Sequence, residues 1–158
     1  MEKSIWKDEH SNGDVIAVVL GSSHCKELID RVNILMEAVE QSIEDVQALR
    51  VYLFVCNNKV SGMMTTERLS NATRVNGEKQ NCSVSVGVSR IWVSPTLRRK
   101  GVALRLLRAI RKCNHQYSVQ CTTDCTVDPR QVAFSQPTSQ GKSLAIKFLD
   151  YNGDYIFY

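Results

Sequence analysis

Apolar residues near the start of the chain come in two short bursts, Ser4 to Lys7 and Val15 to Leu20, divided by the turn-forming Asn12-Gly13-Asp14. Runs of this length read as strands, the second of them buried. The period then changes. Leu28, Val32, Leu35, Met36 and Val39 recur at helical spacing behind Ser22 and Ser23, which suit a helix cap. Ser42-x-x-Asp45, followed by Val46 and Leu49, marks a bend or restart of that helix. Val51 to Cys56, the turn Asn57-Asn58-Lys59, and Val60 to Arg68 predict an antiparallel hairpin.

Between Ser70 and Asn81 the residues are polar without a period, and the stretch reads as a surface loop containing Asn76-Gly77. Ser83 to Val93 resumes as a long strand, with Gly87 marking a bulge or a close backbone approach. Pro95 ends it. A helix begins near Gly101, with Leu104, Leu107 and Ile110 on its packed side and Arg105, Arg108, Arg111 and Lys112 on the other. A connector from Tyr117 to Arg130 leads to a short strand, Val132-Ala133-Phe134. Thr138 opens a last helix carrying Leu144, Ala145 and Phe148, and Asn152-Gly153-Asp154 turns the chain into a final strand, Tyr155 to Tyr158. This alternation predicts one α/β domain over residues 1–158: a mixed, mainly antiparallel sheet flanked by helices.

Composition adds little to that picture, since 43% hydrophobic and 23% charged residues in 158 suit an ordinary globular core. The apolar runs are too short to span a bilayer, and Met1-Glu2-Lys3-Ser4 leads into no signal-peptide core, so the expectation is a soluble intracellular protein without membrane contact. The six cysteines, at 25, 56, 82, 113, 121 and 125, lack disulfide-scaffold spacing and read as free thiols. Cys113, His115, Cys121 and Cys125 lack a Cys-x-x-Cys knuckle, and no metal is expected.

Charge changes the picture locally. The net charge is only +4, yet residues 98–112 hold seven Lys or Arg and no acid. That field suits a polyanion, either nucleic acid or a phosphate-rich small molecule. Within Arg98-x-x-Gly101-x-Ala103, small residues admit close backbone approach while Arg98, Arg99 and Lys100 supply charge at a helix start whose amides lack helical acceptors.

This segment resembles the Arg/Gln-x-x-Gly-x-Gly/Ala turn with which the GCN5-related N-acetyltransferases hold the pyrophosphate of acetyl-CoA. Val88-Ser89-Arg90-Ile91-Trp92-Val93 before it and Val132-Ala133-Phe134-Ser135-Gln136-Pro137-Thr138 after it narrow the resemblance to the cohesin acetyltransferases of the Eco/ESCO type. The match covers much of residues 83–158. It implies the GNAT fold, acetyl-CoA as co-substrate, and acetylation of lysines on the ATPase-head subunit of cohesin, in the nucleus and in association with chromatin. Members carry an upstream zinc finger and a replication-clamp motif, neither of which is read in these residues; the sequence is that of a catalytic fragment or a compact member.

The resemblance also implies roles. Ile91, Trp92 and Val93 lie beside the acetyl-pantetheine arm and offer backbone donors to the thioester carbonyl. Arg98, Arg99, Lys100, Gly101, Val102, Ala103 and Leu104 bind the diphosphate, and Thr138, Ser139 and Gln140 complete the groove. Ser89 and Gln136 face the chemistry. Some members have Asp where this chain has Gln136, and an amide is not a useful base. Glu67, His115 and Asp128 are the other candidates for that task. Two alternatives remain at this stage: a GNAT enzyme with another amine acceptor, and a non-enzymatic basic module that binds chromatin.

Overall fold

Alternation in Arg50–Cys56 (β3) and Lys59–Arg68 (β4) puts Tyr52, Phe54 and Met64 on one face of a hairpin, where all three are fully buried. In the computed structural model, residues 6–9, 15–19, 50–57, 59–113, 127–135, 138–150 and 153–158 are described. The expected helices between Ser22 and Leu49, and most of the 117–130 connector, lie outside these residues. The opening strand runs Trp6–Glu9 (β1), later than the Ser4 to Lys7 expected, and pairs antiparallel with Val15–Val19 (β2).

Two expectations for the middle of the chain are corrected. Residues 70–81 are not a loop: Asn71–Val75 (β5) and Lys79–Ser83 (β6) form a hairpin around Asn76-Gly77. Its residues are mostly exposed or half-buried, so it carries no apolar alternation for a sequence reading to detect; backbone pairing of β5 with Tyr155–Phe157 (β9) holds it to the sheet. Nor is Ser83 to Val93 one strand. The chain breaks at Val84 and Ser85, with Val84 buried in a satellite cluster beside Ala133 and Ile156, before Val86–Val93 (β7) begins.

The remaining elements follow the predicted order. Val102–Cys113 (α1) succeeds a 3₁₀ turn at Pro95–Leu97, and Asp128 caps another at Pro129–Gln131. Val132–Phe134 (β8) and Ser139–Leu149 (α2) complete the chain ahead of β9. Thr138 caps α2 as expected, its hydroxyl accepting from the Gly141 amide at 3.2 Å.

Among the described residues, nine strands form one sheet in the order β1-β2-β3-β4-β7-β8-β9-β5-β6. Pairing is antiparallel except where β8 meets β7 and β9. α1 packs Val102, Leu106, Leu107, Ala109 and Ile110 over Tyr52, Phe54 and Met64, a wider stripe than the predicted Leu104, Leu107 and Ile110. Each of the Val, Leu and Ile side chains contributes about 1.5–3 kcal/mol by leaving water. Arg105 is not on a solvated face: its guanidinium carbon lies 4.7 Å from the centre of the Phe54 ring. α2 joins the same core through Ala145 and Phe148, the latter edge-on to Phe134 with centroids 6.4 Å apart. Among the described residues, no helix is long and apolar enough to cross a membrane.

Candidate functional site

A register slip at the centre of the sheet starts the site. Thr65 lies opposite Arg90 while Thr66 lies opposite Val88, which leaves Ser89 as the extra residue of a β-bulge. The bulge resets the alternation of β7. Val86 and Val88 point into the core beneath α1, and after Ser89 that role passes to Ile91 and Val93, so Ser89 and Arg90 fall together on the opposite face. Of the two readings of Gly87, a bulge or a close approach, the structure has the close approach: a Cβ there would stand 2.8 Å from the Tyr158 ring.

Ser89 is tied to β4. Its hydroxyl lies 2.7 Å from that of Thr65 and 3.2 Å from the Thr65 carbonyl. The arrangement satisfying both contacts has Ser89 donating to the carbonyl and Thr65 donating to Ser89. Thr65 is fully buried, so this partner matters to it.

Beyond the bulge, β7 and β8 part. Their parallel pairing covers Val86–Val88 and ends with the Ser135 amide donating to the Val88 carbonyl at 3.0 Å. The divergence opens a cleft of about 470 Å³, with Ser89, Ile91 and Trp92 on one wall and Phe134, Thr138 and Gln140 on the other. Gln136 lies outside the described residues.

The cleft continues past the end of β7. Arg98 folds back, its Nε donating to the Val93 carbonyl at 3.1 Å, and Arg99 and Gly101 take left-handed φ of 62° and 83°. For Gly101 this conformation is the requirement that selects glycine; a Cβ would meet no protein atom within 4 Å, so the space above the turn is open. α1 starts at the next residue, with the Arg105 amide making its first helical bond to the Gly101 carbonyl at 3.0 Å. The amides ahead of Arg105 face a first turn without acidic residues.

A second cleft of about 620 Å³ surrounds this turn, lined by Arg98, Arg99, Gly101, Val102, Ala103 and Leu104 from one side. It shares Val93, Arg98, Gln140 and Leu144 with the first, so the two are continuous. An apolar slot between strands therefore opens into a cationic mouth at a helix N-terminus. That shape and charge suit a long thioester ending in phosphates. Lys100 and Ser139, also expected in the groove, line neither cleft and are exposed. Sequence reasoning missed Ser143, Leu144 and Lys147, which line the mouth from α2. Their signal was the helical spacing from Gln140 to Leu144 and Lys147.

The titratable candidates separate clearly. Asp128 is held by Arg130, whose Nη2 lies 2.6 Å from it, and caps its own turn. Glu67 accepts the Tyr158 hydroxyl at 2.5 Å. Burial, then the Glu67 hydrogen bond and charge, push the Tyr158 hydroxyl well above the ordinary tyrosine range. His115 lies outside the described residues, as do Cys121 and Cys125.

Comparison with known proteins gives these features a context. The family model for the ESCO1/2 acetyl-transferase matches residues 82–158. The chain is 29% identical over 157 residues to the N-acetyltransferase eco of Drosophila melanogaster, an alignment covering 92% of this chain and 14% of that protein. It is 31% identical over 113 residues to the N-acetyltransferase ESCO2 of Mus musculus, covering 63% of this chain and 18% of that one. It thus spans only a small part of either relative. The solved xEco2 acetyltransferase domain bound to a K105-CoA conjugate superimposes with a TM-score of 0.78 at 24% identity, over 96% of this chain and 95% of that one, and shares the fold.

Proposed function

We propose that this chain belongs to the ESCO1/2 acetyl-transferase family, whose model matches residues 82–158, and that it transfers the acetyl group of acetyl-CoA to a protein lysine. The observation that carries this reading is the continuity of the strand cleft at Ser89 with the cationic mouth at Gly101. The acceptor is a lysine on the cohesin ATPase-head subunit, and the enzyme works in the nucleus at chromatin to establish sister-chromatid cohesion. Support for that finer statement is the Ser-Arg-Ile-Trp-Val strand and the Ala-Phe-Ser-Gln-Pro-Thr segment. Residues 1–158 serve as one catalytic domain.

A lysine of ordinary pKa, ~10.4, is less than about one part in a thousand neutral at pH 7, so the site must help remove its proton. The neutral amine attacks the acetyl carbon; a C–N bond forms, the C–S bond breaks, and the thiolate leaves and recovers a proton. Arg98 and Arg99, with the amides from Gly101 to Leu104, hold the diphosphate, while Lys100 adds charge from outside the groove. Thr138 and Gln140 close the groove at the start of α2, with Ser139 between them outside it. Backbone donors of Ile91, Trp92 and Val93 meet the thioester oxygen as it gains charge. Ser89, its proton committed to the Thr65 carbonyl, accepts from the incoming amine or from the water that carries its proton away. Gln136 orients the amine and does not take the proton.

Incubating the protein with acetyl-CoA and the intact cohesin head, then mapping acetyl-lysine by mass spectrometry, tests the reading. Acetylation of the head is expected. Acetyl transfer to other amines, with the head untouched, would sink the acceptor assignment; failure to bind CoA would sink the enzyme assignment.

A further inference from the structure

The mouth of the groove is more cationic than its Arg-rich turn alone accounts for. Its lining includes Arg98, Arg99 and Lys147 and no carboxylate. Arg98 and Arg99 come from the turn before α1, whereas Lys147 stands on α2, across the groove from them. We propose that Lys147 is a further donor-binding residue, holding a phosphate group of the co-substrate from the α2 side. The proposal rests on the reading of these clefts as the acetyl-CoA site.

The helix dictates where this side chain goes. Gln140, Leu144 and Lys147 share one face of α2, and helical side chains lean toward the N-terminus, so Lys147 extends back along the helix toward the end where the two clefts join. Its position is one turn beyond Ser143, which lines the same mouth. Lys147 is exposed, and among the described residues no hydrogen bond or ion pair engages it. Lys142 on the same helix differs, its ammonium lying 5.6 Å from the centre of the Tyr155 ring.

Charge balance argues the same way. CoA carries a diphosphate and a ribose 3′-phosphate, and a phosphomonoester alone brings about −1.5 to −2 at neutral pH. Two arginines with a helix N-terminus match the diphosphate, and Lys100 adds charge only from outside the groove; the monoester calls for a further cation in the mouth itself. An ammonium on a flexible stem meets a phosphate as a point charge, without the planar geometry a guanidinium demands.

The test is calorimetric titration of wild type, Lys147→Gln and Lys147→Arg with CoA, 3′-dephospho-CoA and acetyl-pantetheine at low and high salt. Lys147→Gln is expected to lose about fivefold in affinity for CoA at low salt and less at high salt, with Lys147→Arg near wild type. A loss confined to CoA assigns the contact to the 3′-phosphate; an equal loss with 3′-dephospho-CoA assigns it to the diphosphate. Either outcome supports the proposal. Unchanged CoA affinity in Lys147→Gln overturns it, as does an equal loss for acetyl-pantetheine, which has no phosphate. Wild-type protein that binds no CoA removes the site reading itself, and the proposal with it.

Discussion

Tyr158 reaches over Gly87 to donate its hydroxyl proton to Glu67, 2.5 Å away and 91 residues earlier in the chain. Its amide meanwhile donates to the Phe134 carbonyl at 3.1 Å. The residue thus ties β4, β7 and β8 together beside the point where β7 and β8 diverge.

Removing that hydroxyl has a pH signature. The Tyr158 hydroxyl is raised above its unfolded value of about 10, so the folded state keeps a proton that the unfolded chain loses as pH climbs. Its contribution is complete below about pH 10 and declines above it. Tyr158→Phe is expected to cost about 1 kcal/mol at pH 7 and to flatten the alkaline fall in stability, as read by urea unfolding at pH 7 and pH 10.5. Identical slopes in both proteins would contradict the assignment.

Gly87→Ala tests the same junction sterically. The new methyl would lie 2.8 Å from two ring carbons of Tyr158, closer than any real contact, so the ring must move. A loss of about 1–3 kcal/mol is expected. In a Tyr158→Ser background the same change should cost much less, and additive losses in the double-mutant cycle would place the strain elsewhere.

Ser89 has a structural role as well as its proposed chemical one, and substitutions separate them. Ser89→Ala leaves the buried Thr65 hydroxyl without its partner, for about 1–3 kcal/mol. Adding Thr65→Val should recover most of the stability. Acetyl transfer should stay at least tenfold down in both, with CoA affinity unchanged; activity that returns with stability would make Ser89 purely structural.

Gly101→Ala puts a side chain where φ is 83°. The αL penalty is about 1–2 kcal/mol. Because the turn sets the direction of the α1 amides, CoA affinity should fall severalfold, measured by calorimetry, while the melting temperature drops only a few degrees. A stability loss with full CoA affinity would detach the turn from donor binding.

Gln136→Asp supplies a carboxylate able to take the proton that an amide cannot. Its kcat at neutral pH is expected to rise with CoA affinity constant. An unchanged or lower kcat would show that proton removal does not pass through position 136.

Much of the fold was legible because its determinants are local. The Val51 to Arg68 hairpin, the Thr138 cap and the amphipathic α1 each follow from spacings within one element, as did the glycine of the phosphate-type turn. The β5–β6 hairpin was not legible: its polar strands are held by backbone pairing to β9, some 80 residues away, and backbone pairing leaves no side-chain pattern. Arg105 misled for a related reason, since its guanidinium lies over the ring of Phe54, on a strand distant in sequence.

For the site, the sequence alone determined the chemistry available: three adjacent cations before Gly101, a serine on the strand, and an amide at 136. These are properties of residue type and short spacing. Only the tertiary structure decided how that chemistry is assembled. The bulge at Ser89, the parting of β7 from β8, the Tyr158–Glu67 bond and the approach of Lys147 each depend on register between strands or on packing between elements. Such long-range relations are set by the balance of many weak contacts over the whole sheet and core, which no local pattern of residues encodes.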